Sequence, residues 1–255
     1  MIRRVARMIV GGETPRHSWK GVYAGFREVP AAGAGHATAA HIERTARMTR
    51  EVRESGAIPA EYGLLPLVAT LAARDAPRIS VLDVGGGLGI GYVALRASAP
   101  ALPKVEYVVV DVPEVCAAGA AFFADDRAIT FQSALPGDEA VGTFDLVQFC
   151  SSLQYVEDYA AMLARVCAYR ARFIYLLKIP VGGFPTFATG QYNLPDSVVP
   201  VWFFNEAELV RLLAHGGYRL VYRGTHDRVY DTTNFDPAHR VRQYAHLLFS
   251  RDGAA

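Results

Sequence analysis

The residues with the clearest chemical intent lie between Val81 and Gly91, where an apolar run, Val81-Leu-Asp-Val, opens into Gly85-Gly-Gly-Leu-Gly89-Ile-Gly91. Glycine lets a backbone turn tightly and approach a ligand closely, and the helix that follows such a turn offers free N–H groups. A dinucleotide site wants G-x-G-x-x-G, and that register fails, because its last position falls on Ile90 or Tyr92. The register D-x-G-x-G-x-G is met in full by Asp83, Gly85, Gly87 and Gly89, with Gly86 between them. A second apolar run, Tyr107-Val-Val-Val, ends in Asp111. A carboxylate at that tip can accept hydrogen bonds from both hydroxyls of a ribose. The competing role is to cap a helix beginning at Pro113. Both roles are compatible, and the neighbouring glycine loop favours the sugar.

A third run, Ile129-Thr-Phe-Gln, is followed by Ser133, whose hydroxyl could accept a hydrogen bond from a base amine or be an ordinary loop residue. The fourth, Leu146–Cys150, leads through Ser151 into Leu153-Gln-Tyr155. Gln154 can orient a substrate, but a carboxamide cannot take its proton. A base would come from Lys178, closing the fifth strand, or from His226, read as lying in the connection between the last two strands. His226 is the preferred choice because it titrates near neutrality. Tyr155 and Tyr192 could bond a substrate or simply pack. Residues 184 to 204 are rich in aromatics and carry Pro185, Pro195 and Pro200, so they read as an irregular wall beside the site, with Gln191 and Trp202 as further contacts.

These positions need a frame. Residues 1–75 read as a helical cap, with helices over His36–Glu54 and Tyr62–Ala73. Residues 76–255 alternate strands and helices. The strands are Ile79–Val84, Val105–Asp111, Ile129–Gln132, Leu146–Cys150, Arg172–Lys178, Leu220–Gly224 and Tyr244–Ser250, and the helices are Gly89–Ala97, Pro113–Phe123 and Asp158–Tyr169. Such alternation demands right-handed crossovers and a mostly parallel sheet covered on both faces, and the last two strands should form an antiparallel pair at one end. A chain of 255 residues with 51% hydrophobic residues needs no disulfide or structural metal. Its three cysteines form no C-x-x-C pair, and His36 and His41 are poorly spaced for shared ligation, so no metal is expected. A net charge of +1 argues against nucleic acid or an anionic membrane as partner. No run approaches the roughly 20 apolar residues of a membrane span, and Met8-Ile-Val10 is too short for a secretory segment, so a cytoplasmic location is expected.

The glycine register resembles the first motif of class I S-adenosylmethionine-dependent methyltransferases, and Asp111-Val-Pro-Glu-Val115 resembles the D-L-P-x-V signature of small-molecule O-methyltransferases. Leu153 and Asp158 match the L-H-x-W-x-D stretch of those enzymes, with Gln154 in place of the histidine that serves them as base. The Pro-Pro-aromatic motif of nucleobase-amine methyltransferases is absent. With Trp19-x-Gly-x-Tyr23, Ser152-Leu-Gln-Tyr155 and Pro200-x-Trp-Phe-x-Asn205, the chain is similar to a bacterial family of small-molecule methyltransferases of unassigned substrate. The resemblance implies an α/β Rossmann-like class I fold: a mostly parallel seven-stranded sheet, an antiparallel strand near one edge and a helical N-terminal cover. It implies S-adenosylmethionine as cofactor and S-adenosylhomocysteine as product. The contacts would come from Asp83, Gly85, Gly86, Gly87, Gly89, Asp111, Val112, Ser133, Cys150 and Ser151. Methyl transfer to an oxygen or nitrogen of a small molecule in a biosynthetic or polysaccharide pathway is the implied activity. A methyltransferase-fold scaffold without transfer, or a cyclase or eliminase using the same pocket, is the alternative. Whether the chain acts as a homodimer or with a protein partner is left open.

Overall fold

The computed structural model describes residues 17–251 and 253, apart from 75, 100, 101, 103, 195 and 242. Pro195 and the basic N-terminal run with Met8–Val10 lie outside the described residues.

A seven-stranded sheet organises the chain. Its strands are β2 (Arg78–Val84), β3 (Lys104–Val110), β4 (Ile129–Gln132), β5 (Leu146–Cys150), β6 (Phe173–Ile179), β10 (Tyr218–Val229) and β11 (Gln243–Arg251), in the spatial order β10-β11-β6-β5-β2-β3-β4. All neighbours from β4 to β6 pair in parallel, and β11 is antiparallel to both β6 and β10. The central parallel strands are largely apolar because helices cover both faces. On one face, α5 (Tyr159–Ala168) and α6 (Glu206–His215) bury Leu163, Val166, Leu209 and Leu213 against Leu82, Val147 and Phe149. On the other, α2 (Leu65–Ala73) and α3 (Ile90–Ser98) pack against Val81, Tyr107, Leu146 and Tyr175. Above α3 and α4 (Pro113–Phe122) lies α1 (Ala39–Ser55).

Local signals set the helix ends. The side chain of Thr38 caps α1 by accepting from the His41 amide, so the helix begins three residues later than the expected His36, and Gly56 closes it in a left-handed turn. Asp158 caps α5, Asn205 caps α6, and Pro113 occupies the first turn of α4.

Three features depart from the sequence reading. Residues 184–204 are not irregular: β8 (Phe187–Leu194) and β9 (Ser197–Asn205) form an antiparallel hairpin, which with β1 (Trp19–Tyr23) and β7 (Val181–Gly182) makes a second, four-stranded sheet. Proline argued correctly against a helix there, but Pro200 sits in β9 opposite Gly190, where β9 has no strand on its other side: β7 reaches only Phe204 and Asn205. The helix α6 carried no expectation. And β10 runs on to Val229, so His226 is a strand residue and not part of a connecting loop. Among the described residues no single helix is long and apolar enough to cross a membrane.

Candidate active site

The order of the sheet reverses at β2, which has β3 on one side and β5 on the other, so the ends of these strands open a crevice. The glycine loop fills its rim. Gly85, Gly87 and Gly89 all have φ between 57° and 72°, a region that side chains rarely adopt. A Cβ at Gly85 would stand 2.3 Å from Ser152 Cβ, and one at Gly86 would stand 2.5 Å from Asp83 Oδ2. The loop is tied to the neighbouring strand end twice: the Gly85 amide donates to Val110 O at 2.7 Å and the Gly87 amide to Asp111 Oδ2 at 2.9 Å.

Asp111 also accepts from the Val112 amide through Oδ1 at 2.8 Å. Its side chain makes no capping bond to α4, so the capping role is not used. A carboxylate has about four acceptor positions, and two amides leave room for a pair of hydroxyls. Burial raises its pKa, against the two amide bonds that lower it. Val112 beside it is an exposed apolar residue, and Ser133 is exposed at the end of β4, one strand further along.

Asp83 is fully buried under the loop. Its Oδ2 accepts from the Tyr107 hydroxyl at 2.7 Å, and that hydroxyl accepts from Gln148 Nε2 at 2.7 Å. Burial pushes its pKa up to about 6, although the hydrogen bonds from Tyr107 and Gln148 pull it down. Asp83 Oδ1 is buried with no hydrogen-bond partner among the described residues, and Oδ2 of the same carboxylate lies against the loop at Gly86. A glycine cradle that a Cβ would fill, a buried unpaired acid oxygen and a carboxylate with spare lone pairs together fit a ligand with an amino-acid tail and a ribose.

Beyond β5 the site is assembled differently. Ser151 and Lys178 are non-glycine residues at φ 54°, at the ends of adjacent strands. Each costs about 1–3 kcal/mol and persists only where the surroundings over-determine it. At Lys178 the register of β6 against β11 slips, two residues facing one, and this bulge re-aims the side chain. Lys178 Nζ reaches Glu61 Oε1 at 3.3 Å, and Glu61 Oε2 stands 4.0 Å from Nε2 of His226, a buried side chain. Burial raises the Glu61 pKa, but Lys178, a backbone hydrogen bond and His226 outweigh it and the net shift is downward, so this carboxylate stays charged. The next residue, Tyr62, is buried beside Cys150, whose thiol is pushed up to about 12 by burial. The short turn Ala60–Tyr62 thus lies across the ends of β5, β6 and β10. Sequence reasoning missed Glu61, a lone acid with no periodicity or motif around it.

Gln154 is buried and donates to Ser151 Oγ at 2.9 Å, leaving Oε1 without a partner among the described residues. The Tyr155 hydroxyl donates to Gln191 Oε1 at 2.9 Å. The other two expected contacts are not brought to this pair. Strand alternation puts Trp202, opposite Ala188, on the other face of the second sheet from Gln191. There it packs on Phe26 and Tyr159 and gives its indole N–H to Glu157 O at 3.1 Å. Tyr192 lies next along β8 to Gln191, under Lys20. An irregular wall would not have separated them; a strand must.

Residues 57–223 match the model of a family described as a methyltransferase domain. A search of curated proteins finds no match to the sequence. Among solved structures, the chain is similar to the 1,6-didemethyltoxoflavin-N1-methyltransferase of Burkholderia thailandensis, crystallised with 1,6-didemethyltoxoflavin and S-adenosylhomocysteine, at 18% identity and TM-score 0.52 over 87% of this chain and 93% of that one. It is also similar to an S-adenosylmethionine-dependent methyltransferase from Clostridium acetobutylicum, at 12% identity and TM-score 0.52 over 83% of this chain and 99% of that one. At these identities the likeness concerns the fold. The family match covers about two-thirds of the chain and contains both the glycine loop and Asp111. The chain therefore belongs to the methyltransferase-domain family, as a class I S-adenosylmethionine-dependent methyltransferase.

Proposed function

We propose that the chain methylates an oxygen or nitrogen of a small molecule in a cytoplasmic biosynthetic pathway. The observation that carries this is one hydrogen bond, from the Gly87 amide to Asp111, because it locks the glycine cradle and the sugar-binding carboxylate into a single unit. When bound, S-adenosylmethionine supplies a methyl group already activated on a sulfonium.

In this reading Gly85, Gly86, Gly87 and Gly89 receive the amino-acid tail, with Asp83 beneath. Asp111 takes the ribose hydroxyls. Val112 lies along one side of the base and Ser133 offers it a hydroxyl, while Cys150 and Ser151 form the floor. The acceptor sits over the ends of β5 and β6, oriented by Gln154, Tyr155 and Gln191. His226 removes its proton, and the charged Glu61 opposite stabilises the imidazolium that results. Lys178 holds Glu61 in place. The described residues before 75 close the site as a cap over the domain from 76 onward. The chemical step asks chiefly for alignment and exclusion of water, so a strong base is not required.

Incubating the protein with S-adenosylmethionine carrying a labelled methyl group and a panel of small hydroxylated and amine-bearing acceptors tests the proposal. Label should reach at least one small acceptor, and His226→Ala should slow that transfer at least about tenfold. Binding of the cofactor without its consumption while a substrate is turned over would replace methyl transfer with cyclisation or elimination.

A further inference from the structure

The amino-acid tail of the cofactor carries a carboxylate as well as an ammonium, and the acids Asp83 and Asp111 cannot pair with it. Around the ends of the strands, most cations are engaged: Lys178 with Glu61, Arg27 with Glu157, and Arg47 with Glu51. Arg44 has no acidic partner among the described residues and is exposed, on the second turn of α1. Its neighbour Thr45 lies directly over the glycine loop, with its methyl 3.2 Å from where a Cβ of Gly87 would be. One turn back on the same helix is His41, three residues from Arg44 and so on the adjoining surface. The His41 ring packs edge-on against His36 at 4.9 Å, and His36 packs edge-on against Tyr155 at 4.4 Å. Within this cluster His41 Nδ1 is buried without a hydrogen-bond partner among the described residues. So is Oε1 of Gln154, a side chain only 2% exposed.

We propose that Arg44 is the cofactor's carboxylate partner, reaching from α1 onto the glycine loop, with His41 as a neutral hydrogen-bonding neighbour. This rests on the reading of the loop as the seat of the amino-acid tail. The histidines suit the role: burial lowers the pKa of both, that of His36 to about 4, and Arg44 lowers them further, so Arg44 is the fixed charge of this corner. Guanidinium forks match carboxylates in a bidentate way that a neutral side chain cannot copy. The helix that covers the cleft would then also sense whether the tail is present.

Two ligands separate this contact from the rest of the site. S-adenosylhomocysteine has the tail carboxylate; 5′-methylthioadenosine has the same sugar and base without it. Calorimetry on the full chain should show Arg44→Met weakening S-adenosylhomocysteine about tenfold or more, while leaving 5′-methylthioadenosine within about twofold. Arg44→Lys should recover part of the loss, and Asp111→Ala should weaken both ligands. Arg44→Met acting equally on both ligands, or on neither, overturns the proposal. If the unmodified protein binds neither ligand, it is the cofactor reading that fails.

Discussion

Along the ends of β2 and β3 the cleft is made of backbone; along the ends of β5, β6 and β10 it is made of side chains. The first region is built from glycines at positive φ, with the Gly87 amide bonded to Asp111. The second gathers Glu61, Gln154, Lys178, Gln191 and His226 from points far apart in the chain, and props them with two strained residues and a bulge. A backbone site is rigid and tolerates almost no substitution. A side-chain site can be re-cut for another acceptor without disturbing the fold, which is how one scaffold serves many substrates.

The contrast sets a ranking of effects. Gly85→Ala should be the most damaging, since its Cβ would collide with Ser152 at a φ of 72°. Binding of S-adenosylhomocysteine should disappear in calorimetry, with stability in urea reduced by roughly 2–4 kcal/mol. Wild-type affinity in this variant would mean that the loop is not the seat. Next comes Asp111→Ala, which should raise the dissociation constant about tenfold or more through lost ribose hydrogen bonds.

Asp83 makes a pH-dependent claim. Burial raises its folded pKa from 3.8 to about 6, so its contribution to stability is complete below about pH 4 and is lost as pH rises through about 6. Asp83→Asn keeps an oxygen for Tyr107 and removes the titration. Between pH 4.5 and 7.5 the stability of the wild type relative to this variant should fall by about 2 kcal/mol in urea titrations. A constant difference would contradict the buried charge. The smallest change belongs to the other region: Glu61→Gln should cost about 1–2 kcal/mol of stability by breaking a half-buried ion pair, and leave S-adenosylhomocysteine affinity within about twofold. A large loss of affinity would show that the two regions are not separable.

The same contrast explains what could be read beforehand. Asp83, Gly85, Gly87, Gly89 and Asp111 sit in two short segments whose expected roles follow from local chemistry, and the central parallel strands show as largely apolar runs. The second sheet left no such trace. Its prolines spoke against a helix, but the pairing of β8 with β9 and with β1, some 170 residues away, has no local signature. Tyr192 and Trp202 lie near Gln191 in sequence, but strand alternation sends them elsewhere. Glu61 was invisible because its partners, Lys178 and His226, lie 117 and more residues away. His226 reads as a loop residue because the expected strand stops at Gly224, whereas β10, an edge strand, runs on to Val229.

A crystal structure with S-adenosylhomocysteine would decide the matter most directly. The sugar hydroxyls should lie within hydrogen-bond reach of Asp111, and the amino-acid tail should rest on Gly85–Gly87 under Thr45. A ligand lodged anywhere else on the sheet, or a loop hollow plugged by side chains, would contradict the assignment.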